Sequence, residues 1–212
     1  MIKTYDFLSP DECEIIVNQL QKSNEWHDGK VTAGDLIKNL KQNKQLNNTS
    51  KLFEKIRKLW NERLASNTLK KIHKYTLSNI VLPPCINKYN VGDFYNWHFD
   101  KVYLQPSVMT DFSYTLFFNA DYEGGELQIE DTIIKGKQGQ LIIYDSNLRH
   151  QVKKVTKGVR YAGVGWISSL IRDSTARKII SNNETALESA NLDSLETIAL
   201  QKSNALLWKT FG

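Results

Sequence analysis

The spacing of apolar residues changes from helical to strand-like and back again along the chain. Residues 1–8 alternate weakly, which predicts a short strand. Residues 9–12 (SPDE) then predict a helix start, because the serine can cap the helix and the glutamate completes a capping box. A second helix is predicted over 50–65, where apolar residues recur at helical spacing. The polar, Asn- and Lys-rich segment 26–48 between them predicts a long loop or lid with some helix.

From about residue 70, short apolar runs alternate with turn residues instead. The segments that predict strands are 86–90, 94–100, 112–119, 126–134, 139–144, 149–155 and 159–168. Glycines separate several of them, and the pair Gly124-Gly125 predicts a turn. So many short strands favour a sandwich or jelly roll. Beyond Asp173 the period is helical again. The predicted apolar face there consists of Leu195, Ile198, Ala199, Ala205 and Leu206.

These patterns predict one domain over residues 1–212, mainly β with flanking helices. A β-core over 83–172, either a sandwich or a jelly roll, would carry the chemistry. A mostly helical N-terminal part (1–82) would support it, and helices would follow over 173–212. Hydrophobic residues make up 41% and charged residues 24% of the 212 residues, which excludes a mainly disordered chain.

Cysteine content and hydropathy predict the setting of the protein. Cys13 and Cys85 are the only cysteines, too few for a disulfide framework or a thiolate zinc site. No apolar run approaches the roughly 20 residues that cross a bilayer, and the first six residues lack the apolar stretch of a secretory signal. We therefore expect a soluble, cytoplasmic protein in a reducing compartment, with no membrane partner.

The net charge of +5 is unevenly distributed. Residues 1–88 carry 15 Lys and Arg against 9 Asp and Glu, whereas residues 89–212 carry 13 against 14. A solvated, lysine-rich helical face explains this excess without any partner. A surface for an acidic partner or nucleic acid is the alternative.

The candidate chemistry begins at His98-Phe99-Asp100. Residues two apart in a strand point to the same face, so the imidazole of His98 and the carboxylate of Asp100 can converge. His150 follows a predicted strand and supplies a second imidazole. Two neutral imidazoles and one carboxylate leave adjacent coordination positions open, as in non-haem Fe(II) oxygenases.

Arg160 follows ten residues after His150. The intervening residues 156–158 (TKG) predict a hairpin turn, which would return Arg160 alongside the strand of His150. Its guanidinium would offer a bidentate fork to a carboxylate near the metal.

The motifs around these residues resemble those of a known family. It is similar to the Fe(II)- and 2-oxoglutarate-dependent dioxygenases of the prolyl 4-hydroxylase type, close to the bacterial PKHD-type hydroxylases. The motifs that carry the resemblance are Tyr89-x-x-Gly92-x-x-Tyr95-x-x-His98-x-Asp100, 113–118 (SYTLFF), 122–127 (YEGGEL), His150-x-Val152, Val155-Thr156-x-Gly158-x-Arg160, Trp166-Ile167 and 169–173 (SLIRD). A weaker likeness covers Trp26-x-Asp28-Gly29 and Thr32-Ala33-Gly34.

The resemblance implies a double-stranded β-helix (jelly-roll) core and a role for each motif residue. It implies that His98, Asp100 and His150 bind iron and that Arg160 pairs with the distal carboxylate of 2-oxoglutarate. Tyr89 would help to hold that cosubstrate. Tyr95 and Trp166 would contact the substrate. The implied cofactors are Fe(II), 2-oxoglutarate and O2, with ascorbate as a further one.

The implied activity is hydroxylation of an unactivated C–H bond, with a prolyl residue in a peptide or protein as the favoured substrate. The same chemistry on a free amino acid or on nucleic acid is an alternative, and so is a non-catalytic metal-binding β-barrel. The sequence departs from many relatives at Met109-Thr110-Asp111, where they carry a basic residue. A polar substrate contact made there would be missing.

Overall fold

A computed structural model describes residues 2–32, 38–65, 67–105, 108–188, 190 and 194–212. The α-helices are α1 (Pro10–Lys22), α2 (Lys51–Leu64), α3 (Asn67–Thr76), α4 (Ser174–Leu187) and α5 (Leu195–Phe211). The first nine strands are β1 (Ile2–Asp6), β2 (Trp26–Asp28), β3 (Lys41–Gln42), β4 (Lys44–Leu46), β5 (Ser78–Val81), β6 (Cys85–Tyr89), β7 (Phe94–His98), β8 (Tyr103–Gln105) and β9 (Val108–Met109). The later strands are β10 (Phe112–Phe117), β11 (Glu123–Gly124), β12 (Leu127–Ile129), β13 (Thr132–Ile134), β14 (Gln140–Asp145), β15 (His150–Val152), β16 (Val155–Lys157) and β17 (Arg160–Ser169).

Two antiparallel sheets form the core of the fold. The larger sheet has the order β1-β14-β10-β17-β6-β4-β2, with β5 also paired to β17. The smaller sheet has the order β13-β12-β15-β7-β3. Two further antiparallel pairs join β8 to β9 and β11 to β16. The predicted β class with flanking helices is confirmed, since strands from distant parts of the chain alternate between two facing sheets as in a jelly roll.

Apolar side chains on the two faces of the larger sheet build separate cores. One core joins the sheet to α1 and α2, where the Trp60 ring stacks on Tyr114 with centroids 4.9 Å apart. A second core includes Phe117, Leu127 and Tyr144 from strands of both sheets. Strand β10 is covered on both faces, so every one of its residues is buried. Such a strand does not show the alternation of apolar and polar residues that a half-exposed strand shows.

The predicted start of the first helix is confirmed at atomic detail. Ser9 accepts a hydrogen bond from the backbone N–H of Glu12, and the Glu12 carboxylate accepts one from the backbone N–H of Ser9. The helix predicted over 50–65 is α2, and the first predicted strand is β1. Local signals were sufficient for these elements because caps and periodic apolar faces depend only on near neighbours.

The segment 26–48, predicted as a long loop or lid with some helix, has short 3-10 helices at Gly29–Thr32 and Lys38–Leu40, but the prediction misses its strands. Three strands, β2, β3 and β4, lie in this segment, and they extend both sheets at one edge. These strands were missed because they are short and mostly polar, although Lys41, Gln45 and Leu46 are buried. Ala33 and Gly34 of the weaker likeness lie outside the described residues.

The C-terminal helices form as predicted, but the predicted face of α5 is wrong. Leu195, Ile198 and Leu206 are exposed, whereas Thr197 and Asn204 are buried. Leu207 and Trp208 of α5 pack instead on a small apolar cluster that includes Ala176 and Ile180 of α4. None of the described helices is long and apolar enough to span a membrane.

A buried ion pair fixes α4 to the sheets. The Nη1 atom of Arg177 donates to Asp111 Oδ1 at 3.0 Å and to the carbonyl of Ile171 at 2.7 Å. Asp111 Oδ2 also accepts from the backbone N–H of Ser169 at 2.8 Å. Both charged side chains are less than one-tenth exposed, so each needs the other to offset its lost hydration.

We expect Arg177→Met to lower the free energy of unfolding by about 3–5 kcal/mol, because the carboxylate of Asp111 would remain buried without its cation. Urea unfolding followed by tryptophan fluorescence measures this. Lys178→Met is the matched control, since Lys178 is an exposed residue of the same helix, and it should change stability by no more than about 0.5 kcal/mol. A loss below about 1 kcal/mol for Arg177→Met would contradict the argument.

Candidate active site

The pairing of β7 with β15 brings the two predicted histidines together. His98 ends β7, His150 begins β15, and the two residues are Cα partners across the antiparallel pair. Their ring centroids lie 4.2 Å apart. Asp100 follows two residues after His98, and Phe99 between them is exposed, as strand alternation requires. One ligand atom from each of His98, Asp100 and His150 lies within 4.8 Å of the others.

An irregular register adds an aromatic ring to this cluster. His150 pairs with His98 and Val152 pairs with Tyr95, so two steps on β15 match three steps on β7. Such an extra residue turns the strand and changes which side chains share a face. Tyr95 therefore stacks on His98, with ring centroids 3.5 Å apart and planes at 13°.

Backbone carbonyls set the orientation of both imidazoles. His98 Nδ1 lies 2.7 Å from the carbonyl oxygen of Asn96, and His150 Nδ1 lies 3.0 Å from that of Leu148. Each Nδ1 therefore carries the proton, and each Nε2 is left as a free lone pair for a metal ion. Burial and the neighbouring His150 lower the pKa of His98 to about 4, so this ring is neutral at pH 7.

Ser113 holds the carboxylate of the cluster, a contact that the sequence did not reveal. Its hydroxyl, which comes from β10 in the larger sheet, donates to Asp100 Oδ2. The same oxygen lies 3.6 Å from His150 Nε2. A serine within a predicted strand gives no signal of its partner, because the partner lies in the other sheet.

The predicted hairpin that would place Arg160 beside the strand of His150 is wrong. Residues 155–157 form β16, which pairs with β11. The chain then crosses to the larger sheet, where Arg160 opens β17 opposite Tyr89 of β6. Arg160 and His150 therefore belong to different sheets, because β16 is a separate strand rather than part of a tight turn.

The guanidinium of Arg160 is fully buried and lacks a counter-ion among the described residues. Its side chain is 0% exposed, and its Nε, Nη1 and Nη2 atoms have no hydrogen-bond partner in the described part of the chain. The rings of Tyr89 and Phe117 lie 5.1 and 5.2 Å from its central carbon. Five unused N–H groups on a buried cation require an anionic ligand, so the residue fits a dicarboxylate such as 2-oxoglutarate.

The glycine pair at 124–125 makes room for this arginine. Both residues have positive φ, +69° and +64°, a conformation that favours glycine. A Cβ on Gly125 would lie 3.1 Å from Arg160 Cδ and 2.9 Å from Val155 Cγ2. The turn predicted here therefore also lets Arg160 lie in its buried position.

A cavity of about 250 Å³ lies over the cluster. Its lining includes the three triad residues together with Tyr89, Tyr95 and Trp166. Val164, two residues before Trp166 on β17, also lines it. Burial raises the pKa of Tyr89 to about 12, so its phenol stays protonated. The indole N–H of Trp166 has no hydrogen-bond partner among the described residues.

The cavity wall also contains a lysine that sequence reasoning missed. Lys41 of β3 is 5% exposed, and its Nζ lies 5.1 Å from the centroid of the Tyr95 ring. Burial is the main reason that the pKa of Lys41 falls to about 8. Segment 26–48 contains several lysines, and the sequence alone does not distinguish a buried lysine from an exposed one.

In the segment Met109-Thr110-Asp111, where many relatives carry a basic residue, two side chains make contacts within the protein. The hydroxyl of Thr110 donates to the carbonyl of Lys101, and Asp111 pairs with Arg177. Neither residue lines the cavity in the described structure. A missing basic substrate contact at this segment stays a prediction.

Comparison with known proteins agrees with this geometry. The sequence profile of the 2OG-Fe(II) oxygenase superfamily matches residues 85–168. A PKHD-type hydroxylase of Bordetella pertussis is 33% identical over 205 residues, which span 91% of this chain and 89% of that protein. A PKHD-type hydroxylase of Prochlorococcus marinus is 38% identical over 185 residues, covering 84% and 82%.

Two solved structures share the fold at low sequence identity. A Pseudomonas putida prolyl-4-hydroxylase superposes with a TM-score of 0.58 at 15% identity, over 79% of this chain and 92% of that one. A prolyl hydroxylase of Trichoplax adhaerens, solved with a peptide fragment of the hypoxia inducible factor oxygen degradation domain, gives 0.59 at 18%, over 89% and 87%.

The sequence identity extends over nearly the full chain, and the structure contains the His-Asp-His cluster and the jelly-roll sheets. Sequence and structure therefore indicate the same family. The chain therefore belongs to the PKHD-type hydroxylases of the 2OG-Fe(II) oxygenase superfamily, and it is a 2-oxoglutarate-dependent dioxygenase that uses Fe(II), 2-oxoglutarate and O2.

Proposed function

We propose that this dioxygenase hydroxylates a prolyl residue within a peptide or protein, with iron bound by His98, Asp100 and His150. The observation that carries the 2-oxoglutarate chemistry is the buried guanidinium of Arg160, whose nitrogens have no partner in the described part of the chain. A purely structural metal site has no use for such a cation. This argues against a non-catalytic metal-binding barrel.

The ligand set suits Fe(II) chemistry. Two neutral Nε2 atoms and one carboxylate occupy one side of an ion and leave other positions for cosubstrate and O2. Ser113 holds the Asp100 carboxylate, and the two backbone carbonyls hold the imidazole rings, so the ligands are oriented before any ion binds. When bound, Fe(II) and 2-oxoglutarate supply an oxidative decarboxylation that drives insertion of oxygen into an unactivated C–H bond.

Arg160 would hold the distal carboxylate of 2-oxoglutarate through a bidentate, charge-assisted contact. Tyr89, opposite Arg160 in the larger sheet, would orient the same cosubstrate. The burial of Arg160 and Tyr89 removes both side chains from bulk water, which would strengthen these contacts.

A prolyl substrate is supported by the aromatic side chains of the cavity. The rings of Tyr95 and Trp166 suit an apolar pyrrolidine ring, and a proline-containing strand is already extended, so little ordering entropy is lost on docking. The names of the relatives and the peptide bound to the Trichoplax enzyme point in the same direction.

Nucleic acid stays the less favoured substrate. The basic residues Lys3, Lys71 and Lys74 border an open groove of about 820 Å³ that contains none of the triad residues. Binding there would be electrostatic and would weaken steeply with salt. A free amino acid is the other alternative, so free proline is assayed together with the peptides. Half of the assays contain ascorbate, and the comparison shows whether ascorbate is a further cofactor.

We expect His150→Ala to abolish the weak visible charge-transfer band that Fe(II) and 2-oxoglutarate give under anaerobic conditions, because one of three ligands is lost. The band is recorded by difference spectroscopy. His27→Ala is the control, since His27 is exposed and outside the cluster. Persistence of the band in His150→Ala would exclude this histidine from the ligand set.

Arg160→Ala should raise the apparent KM for 2-oxoglutarate by tenfold to several thousandfold, because a desolvated bidentate contact contributes about 2–5 kcal/mol. Succinate formation against 2-oxoglutarate concentration measures this. Arg160→Lys should rescue only partly, because an ammonium lacks the planar fork. Arg172→Ala, at an exposed arginine, is the control. An unchanged KM in Arg160→Ala would show that the cosubstrate is held elsewhere.

Turnover with proline-containing peptides should add one oxygen atom to proline, and Trp166→Ala should reduce this product by at least tenfold, because the ring loses its apolar wall. Tandem mass spectrometry locates the added oxygen. Trp208→Ala, on the C-terminal helix, is the control of the same residue type. Succinate without modified peptide, together with a clean product from free proline or an oligonucleotide, would contradict the peptidyl substrate.

A further inference from the structure

Lys41 is a second buried cation, and it lies on the wall of the cavity over the triad. Strand β3 pairs with β7 so that Lys41 lies opposite Tyr95, the residue whose ring stacks on His98. The ammonium lies 5.1 Å from the centroid of the Tyr95 ring and donates to the hydroxyl of Thr32 at 3.0 Å. Lys41 and Thr32 both line the cavity over the triad.

No ion pair offsets this charge among the described residues. Asp100 and Asp28 are the carboxylates that influence Lys41, and the thiol of Cys85 does so too, but neither carboxylate lies within 4.0 Å of its ammonium. One hydrogen bond to Thr32 uses a single N–H of the three that the ammonium carries. A buried, unpaired ammonium is costly, so its position indicates a ligand that approaches from the cavity.

The charges of the loaded site identify the sign of that ligand. Fe(II) carries two positive charges and 2-oxoglutarate two negative ones, while Arg160 and the Asp100 carboxylate cancel each other. The iron, the cosubstrate and their protein partners would therefore be neutral together. The charge of Lys41 would remain on the cavity wall, because Asp28 is exposed and does not line the cavity. Lys101, an exposed residue at the same cavity, adds a second positive charge. An anionic group on the substrate would balance this excess.

We propose that Lys41 is a substrate-binding residue that pairs with a carboxylate of the peptide, so that the enzyme selects acidic sequences. The carboxylate belongs either to an acidic side chain beside the target proline or to the C-terminus of the peptide. This inference rests on the proposed function, because it assigns the class of peptide that the same cavity takes.

Thr32 and its neighbours hold Lys41 ready for this role. The hydroxyl of Thr32 donates to Gln45 Oε1 at 2.9 Å, and the amide of Gln45 donates to Asn87 Oδ1 at 3.0 Å. Gln45 and Asn87 are buried and also line the cavity. A chain of hydrogen bonds thus anchors the ammonium from behind and leaves its other donors for a ligand.

The test measures peptide binding without turnover, by fluorescence anisotropy of labelled peptides on enzyme loaded with Fe(II) and 2-oxoglutarate under anaerobic conditions. One pair of blocked peptides differs only by Glu or Gln beside the proline. A second pair ends in proline as the free acid or as the amide. Wild type should bind the acidic member of at least one pair about tenfold to a hundredfold more tightly, and the pair that responds identifies the source of the carboxylate.

Lys41→Met should bring the affinity ratio of the responding pair close to one. Lys41→Gln, which keeps a donor for Thr32, should do the same, and circular dichroism verifies that each variant is folded. Lys44→Met is the matched control, because Lys44 is exposed three residues along the same segment. It should keep the wild-type ratio.

Equal binding of both members of each pair by wild type would overturn the inference, as would a preference that survives in Lys41→Met and Lys41→Gln. If the peptides are nevertheless hydroxylated on proline, the proposed function stands and only the role of Lys41 falls. If no peptide binds and none is hydroxylated, both proposals fall together.

Discussion

The pairing of β7 with β15 is the constraint on which the active site depends. It sets His98 opposite His150, and its irregular register turns Tyr95 onto the same face. Asp100 lies just beyond the paired region, where a hydrogen bond from Ser113 of the other sheet holds it. A small shift in this register would displace His98, His150 and Tyr95 relative to one another and relative to Ser113 on the facing sheet.

Unpaired positive charge is the second feature that organises the interior. The protein buries Arg160 and Lys41 without counter-ions in the described part of the chain, although it pairs Arg177 with Asp111 where the fold needs an anchor. Under the proposed function, this contrast distinguishes charges that stabilise the fold from charges that bind a ligand. A structural charge is satisfied within the protein, whereas a functional one is held ready for a ligand at a cost that ligand binding offsets.

The chemistry of the site could be predicted from the sequence because its signals are local. The two-residue spacing of His98 and Asp100 predicted that their side chains converge, and both line the cavity. The capping box at Ser9 and the apolar period of α2 likewise required no knowledge of distant residues. The family motifs added roles for Tyr89 and Tyr95 that no local rule supplies.

Only the tertiary structure decided which distant residues meet. Arg160 enters the larger sheet rather than a hairpin with His150, because β16 pairs with β11 first. Lys41 becomes a cavity residue because a polar segment adds a strand to the edge of the smaller sheet. In α5 the buried side is the one that contacts α4, whatever its own apolar residues suggest. Sheet partners and helix docking depend on contacts between residues far apart in the chain, and a sequence pattern records periodicity but not the partner that covers it.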